Sequence, residues 1–407
     1  MFHPAMSPRL PQTLQMFRHP SWPTLADSRL AVMDSPPTMA MDDAFAGIAP
    51  AAQRRDPVAA PPGTLGQTAE RRFALHDIAD DCGRVHARDL LFRRDSMLQS
   101  SAKIDALDRV SAALANALLD GYAANSLPKG QLLVAMDEAA LLSPIAQAVT
   151  PDIGAVLLQS DLTISTQVLM RVAQLRAGGV RFSIDGVTRT DDPRWLLAPY
   201  AETVRLHLDR TPPDALNALV ARAEAEGLEV IGCGVQSMGG YQQLEHLVVT
   251  RLQGPFIASP LELIVPALPG CDPAVLRRVQ LLQANRVSAQ GMAVAISADP
   301  ALVMRLQLLH RLYVGPRQEE PTSLVTLVKA LNAGVLAAWL EILRRTACHG
   351  HQQQWAKAVR DQVEVYQRSL LCRSGAHDRD AVEASVWLFL RRLCSPAHYL
   401  KTLKYQR

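Results

Sequence analysis

The sequence predicts an α/β plus all-α protein: a TIM-like (β/α) barrel followed by an all-helical region. Three observations carry this. From Arg71 to about Pro260, short apolar runs alternate with helix-like stretches. Beyond Pro266 the strand pattern stops, and apolar residues recur at helical spacing instead. Strand and helix in repeated alternation bury both faces of a parallel sheet, whereas unbroken helical stripes build a bundle. An open doubly wound sheet would give the same string, but a barrel is the closer match.

Residues 1–70 come first and hold eleven of the 27 prolines, Pro36-Pro37 and Pro61-Pro62 among them. Such a segment buries too little to offset its ordering entropy and is expected to be a disordered tail. A short binding motif around Phe17 or Trp22 is a minor reading of it. The barrel is then assigned to residues 71–262. Leu132-Leu133-Val134 precedes a helix-like stretch near Ala139–Ala148, and Ala155–Leu158 leads to one with Val168, Val172 and Leu175 on one face. Val180–Ile184 and Val204–Leu208 follow; Pro213–Glu226 then places Leu216, Leu219, Val220 and Ala223 at helical spacing before Gly227. Leu228–Ile231 and Val248–Leu252 complete six or seven strand–helix units. In residues 263–407, Asp299-Pro300 reads as an N-cap with proline at the first helical position. Leu302, Leu306, Leu309 and Tyr313 share one helical face. Leu324, Leu327, Val328 and Leu331 share another, ended near Asn332-Ala333-Gly334, and Val335, Trp339 and Ile342 begin a third.

The 407 residues suffice for two hydrophobic cores, and 48% hydrophobic with 20% charged residues is an ordinary globular mixture. No uncharged apolar run approaches about 20 residues, so no membrane span is expected. Six scattered cysteines without CxxC spacing fit a reducing, cytoplasmic setting and idle thiols. The net charge of +3 divides into −1 over residues 1–70, −5 over 71–270 and +9 over 271–407. That split predicts that the helical region docks on the barrel. No nucleic-acid motif accompanies the basic half, and nucleic acid is not expected as a partner.

Four short motifs fall at or just after the expected strands. They are Asp89-Leu90-Leu91-Phe92-Arg93, Gly179–Gly186 (GVRFSIDG), Cys233-Gly234-Val235-Gln236-Ser237, and Gln253-Gly254 with Pro260 beyond. In this order they resemble the EAL domain, a barrel whose active members hydrolyse cyclic di-GMP. Ala298–Leu302 and Ser323–Leu340 more loosely resemble an HDOD domain, a helical relative of HD phosphohydrolases without the metal-binding His-Asp. His310-Arg311 replaces the Asn-Ser that usually closes its second helix, and the region looks short.

The EAL resemblance implies chemistry at the strand ends, where hard divalent cations held by several oxygen ligands activate a water. This chain departs from that ligand set. Asp89 stands for the signature Glu, Ala135 for a strand-end Asn, and Gly186 for the second of two paired aspartates, of which Asp185 survives. Arg205 replaces a proton-shuttling Lys and is a poor base; His207 replaces an Asp; Cys233 and Gln236 replace the last two Glu. The implied reading is a vestigial site with no catalytic residue, metal or cofactor. The chain would then be a bacterial signalling adaptor acting through protein–protein interaction. Arg93 and Gln253 remain as ligand-binding remnants, so a cyclic di-GMP sensor without hydrolysis is the alternative, and a rebuilt phosphodiesterase the second. Zinc on Asp185, His207 and Cys233 is a remote variant. His349, His351 and His377-Asp378 are read as surface residues.

Overall fold

Eight strands close a ring in the computed structural model, which describes residues 69–93, 105–128, 130–315, 319–346, 352–374 and 379–405. The sequence-predicted tail, with Phe17 and Trp22, lies outside the described residues up to residue 68, as do His349, His351, His377 and Asp378. Strands β1 (Glu70–Ala79) and β2 (Val85–Phe92) form an antiparallel hairpin. Its turn is held by Asp80, whose Oδ1 accepts from the amides of Cys82 and Arg84. From β2 onward neighbours are parallel: β3 (Gln131–Met136), β4 (Gly154–Leu158), β5 (Phe182–Asp185), β6 (Thr203–His207), β7 (Glu229–Cys233) and β8 (Arg251–Gln253). Pairing of Leu252 with Ala79 closes the ring. A ninth strand, β9 (Leu261–Pro266), lies antiparallel to the first half of β1.

The hairpin and β9 are additions to the sequence reading. β1 carries His76 and Asp77 within its run and an irregularity at Ile78/Ala79, which interrupt a clean alternation. β9 exposes Leu261 and Ile264 and buries Val265, so it reads as a linker. The sheet thus starts at Glu70, inside the expected tail, and runs to Pro266, past the expected boundary at 262. The last barrel strand is shorter than Val248–Leu252, because Val248 adopts a left-handed φ of 57°.

Between strands, helices α2 (Glu138–Leu142), α3 (Thr166–Ala177), α4 (Pro213–Ala225) and α5 (Met238–His246) cover the outside. Asp137, Ser165 and Ser237 cap α2, α3 and α5 by accepting amide hydrogen bonds. The stretch Ala139–Ala148 is not one helix: α2 stops at Ser143-Pro144, and a 3₁₀ turn spans Pro144–Ala148. Pro144 has no amide hydrogen with which to continue the ladder. Helix α1 (Ala106–Ala115) follows β2 and continues as a π turn, Asn116–Gly121.

Side chains alternate along each strand, and the alternation sorts two layers. Val134, Val156, Phe182, Ile184, Val204, Leu206, Val230 and Leu252 face outward into the core beneath the helices. Ile78, Ala87, Leu133, Leu157, Ile231 and Cys233 pack inside the ring.

The remainder is helical: α6 (Pro273–Ala284), α7 (Ala289–Ser297), α8 (Pro300–Tyr313), α9 (Leu324–Ala330), α10 (Ala333–Thr346), α11 (Gln352–Ser374), α12 (Arg379–Leu393) and α13 (Pro396–Tyr405). Asp299 caps α8 through the Ala301 amide. Helix α9 ends at Ala330, beside the expected stop near Asn332, whose Oδ1 accepts from Gly334 at 2.8 Å as α10 begins. Helices α11–α13 follow where the sequence reading left little room, because their heavily charged faces dilute the apolar stripe. Among the described residues no single helix is long and apolar enough to cross a membrane. The bent pair α9–α10 has the length and composition, but its apolar side chains are buried here.

The described residues form a single compact unit. Helix α10 packs on α1 and on the 3₁₀ turn at 144–148. Tyr313 donates to the Ala148 carbonyl at 2.6 Å and accepts from Trp339 Nε1 at 2.7 Å. Arg345 reaches Asp108 at 2.9 Å and Asp105 at 3.5 Å. The docking expected from the charge split is therefore present. Most of it is apolar, which is where the energy lies, since exposed ion pairs contribute only about 0–1 kcal/mol.

Candidate functional site at the barrel mouth

Parallel strands of a closed barrel point their C-terminal ends to one rim, and inward-facing side chains there form the mouth. In β6 the inward positions are Arg205 and His207, with Leu206 turned to the outer core. The same register brings Asp89 of β2, Asp185 of β5, Cys233 of β7 and Gln253 of β8 to that level. Arg205 is their centre. Its Nη1 lies 2.9 Å from Asp89 Oδ2, and its Nε lies 3.6 Å from Asp185 Oδ1. Nε also donates to Cys233 Sγ at 3.2 Å, and Nη2 donates to Gln253 Oε1 at 2.6 Å. Gln253 Nε2 returns to Asp89 Oδ2 at 2.9 Å and reaches the His76 carbonyl at 3.4 Å. Asp89, Arg205, Cys233 and Gln253 are all buried.

The electrostatics follow from this geometry. Burial opposes the guanidinium charge, yet Asp89, Cys233 and Asp185 together hold the Arg205 pKa above its ordinary value. Burial raises the Asp185 carboxyl, but the His207 hydrogen bond at 2.8 Å and the charge of Arg205 outweigh it and hold the pKa below the usual carboxylate value. Burial pushes the Cys233 thiol up to about 11 despite Arg205. The donor atoms of Asp185, His207 and Cys233 do not converge. Among the described residues the only trio that does is half-buried Asp80 with exposed Asp81 and Cys82 at the hairpin turn.

The other sequence-predicted positions sit around this network. Ala135 is on β3 beside Leu157 and contributes only its methyl group. Gly186 has φ 63°, and a Cβ there would approach Ser160 Cβ to 2.9 Å. Gln236 is exposed beyond β7. Arg93 is drawn to Glu262 of β9 at 2.9 Å rather than into the network. Sequence reasoning missed Arg194, whose Nη1 and Nη2 donate to the carbonyls of Asp185 at 2.7 Å and Gly186 at 3.0 Å. Arg194 is locked to Asp192 at 2.6 Å and so fixes the β5 end. The only sequence signal for it is an Asp-Pro-Arg turn after the strand.

Fold and site together define a closed (β/α) barrel whose mouth is filled by a buried arginine–carboxylate network. No family model matches the chain, and neither does any curated protein. Solved EAL domains resemble about half of it. The EAL domain of Mycobacterium smegmatis DcpA is 16% identical with a TM-score of 0.35, over 47% of this chain and 91% of that one. An EAL domain protein from Listeria monocytogenes is 12% identical with a TM-score of 0.38, over 48% of this chain and 90% of that one. The YkuI protein of Bacillus subtilis, solved with cyclic di-GMP and calcium, is 11% identical with a TM-score of 0.38. That likeness spans 46% of this chain and 55% of that one.

Proposed function

We propose that the chain is a non-catalytic signalling regulator that acts through protein–protein association. Its relation to cyclic di-GMP signalling would run through a degenerate EAL-type barrel joined to an HDOD-like helical region. One observation carries the reading: the Arg205 guanidinium sits between the carboxylates of Asp89 and Asp185 at the mouth. These carboxylates already neutralise a tethered cation. A divalent ion about 4 Å from the guanidinium would be repelled by on the order of 8 kcal/mol at an effective dielectric of 20. A hard cation also needs several oxygen donors to offset that, and Ala135, Gly186 and Cys233 supply none from their side chains.

The backbone at Gly186 supports the same reading. A left-handed φ costs a non-glycine residue about 1–2 kcal/mol, and Ser160 would have to give way as well. An aspartate at 186 would therefore require Ser160 to shift, since its Cβ would lie 2.9 Å from that of Ser160.

Binding of cyclic di-GMP without cleavage is favoured by one observation, the buried Asp89 Oδ1, which has no hydrogen-bond partner among the described residues. A guest with a donor could use it. Gln253 weighs against that reading, since both ends of its amide are engaged inside the network. Calorimetry with cyclic di-GMP, with and without Mg²⁺, tests the proposal. No saturable heat is expected in either condition. Binding that needs Mg²⁺ would overturn the non-catalytic reading, and Mg²⁺-independent binding would select the sensor.

A further inference from the structure

Helices α8 and α12 line a partly open cavity of about 140 Å³ with the segment before α9 and with Tyr122, which follows the π turn Asn116–Gly121. Roughly this volume in a protein interior accommodates a benzene-sized guest. Its wall has an apolar part, with Tyr122, Leu327 and Trp387, and a polar part, with Gln307, His310, Arg311 and Arg391. Gln307 is more than nine-tenths buried, and its Nε2 has no hydrogen-bond acceptor among the described residues. A buried amide left without a partner costs about 1–3 kcal/mol, so it calls for an acceptor.

The charge arrangement says what kind of acceptor. Arg391 pairs with Glu320, and Arg311 lies 3.9 Å from the same carboxylate. Glu320 stands on the segment that Trp387 Nε1 pins by donating to the Pro321 carbonyl at 2.8 Å. A carboxylate of the chain's own thus already bridges the two guanidinium groups at the cavity wall. Its side chain is 58% exposed, so it can swing outward at little cost. His310 is held below its ordinary pKa by burial and by Arg311 and Arg391, and as a neutral ring it adds no third positive charge.

We propose that this cavity binds a small organic carboxylate with an apolar body, of about the size of benzoate. Its carboxylate takes the place of Glu320 between Arg311 and Arg391 and accepts from Gln307, while Trp387, Leu327 and Tyr122 cover its apolar part. Tyr122 belongs to the barrel side of the chain and the rest of the wall to the helical region, so the ligand sits at their junction.

Isothermal titration of the full chain with benzoate, and separately with inorganic phosphate, tests the site. Saturable one-site binding of benzoate is expected, with phosphate at least tenfold weaker. Glu320→Gln removes the competing carboxylate and is expected to tighten benzoate up to about fivefold. Arg391→Gln is expected to weaken it tenfold or more. Gln307→Leu, which keeps the side-chain volume and all ion pairs, is expected to weaken it several-fold and carries the test if Arg391→Gln does not fold. Three results would each overturn the proposal: no saturable benzoate binding in wild type and Glu320→Gln, phosphate binding without benzoate binding, or benzoate affinity unmoved by Gln307→Leu.

Discussion

Replacing Arg205 with methionine removes the guanidinium but keeps most of the side-chain volume. Asp89 would remain buried with only the Gln253 amide for company, and Asp185 would retain His207. Breaking a buried ion pair from one side typically costs about 3–5 kcal/mol, because the abandoned charge stays desolvated. The unit Thr64–Arg407 should have an unfolding entropy near 0.7 kcal/mol/K at about 2.1 cal/mol/K per residue. Arg205→Met should therefore lower Tm by about 4–7 °C at neutral pH. The double variant Asp89→Asn/Arg205→Met removes both charges, and most of the loss should return, since a neutral pair needs no counter-ion. Thermal unfolding of the wild type, both single variants and the double variant gives the coupling directly. Additive single losses, or a shift below about 1 °C for Arg205→Met, would refute the view of Arg205 as the mouth's built-in cation.

Other outcomes follow from the same contacts. Asp185 has its folded-state pKa held below the unfolded value, so its stabilising contribution is complete above the unfolded pKa near 3.8 and is lost as pH falls through the folded value. Asp185→Asn should flatten the acid side of the stability–pH curve, measured by denaturant unfolding between about pH 2 and 5; an unchanged curve would show that the carboxylate gains nothing from His207 and Arg205. Tyr313→Phe strips hydrogen bonds from the Ala148 carbonyl and Trp339 Nε1, and should cost about 1–3 kcal/mol while loosening amide protection at residues 144–148. Full protection there would mean that the junction does not depend on this tyrosine. Gln236→Glu should yield no turnover of cyclic di-GMP, because one exposed donor beyond β7 cannot assemble a cation site alone; any turnover would show a site much nearer to intact.

The barrel strands with apolar runs were readable because alternation and helical spacing are local: Val156, Phe182, Val204 and Val230 are outward core residues, as a parallel sheet requires. β1 and β9 were not, since their pairing joins Glu70–Leu75 to Leu261–Pro266 across almost the whole barrel sequence. The mouth divides in the same way. Asp89, Asp185, His207, Cys233 and Gln253 stand at motif positions that a one-dimensional reading can mark. The role of Arg205 is invisible there, because it appears only as an arginine in place of a lysine. Ring closure is what sets Asp89 of β2 against β6 and turns that arginine into a counter-ion. Arg194 has no motif at all; its function is to hold two carbonyls. The charge split foretold docking between barrel and helices but not its means, which are Tyr313, Trp339 and the apolar faces of α1 and α10.

On the proposed reading, the mouth holds its own cation and performs no metal-dependent hydrolysis. Incubation of the purified full chain with cyclic di-GMP and excess Mg²⁺ or Mn²⁺, followed by chromatography for the linear dinucleotide, tests it most directly. No linear product above the protein-free control is expected with either metal. Metal-dependent formation of the linear dinucleotide that disappears in Asp185→Ala would contradict the account.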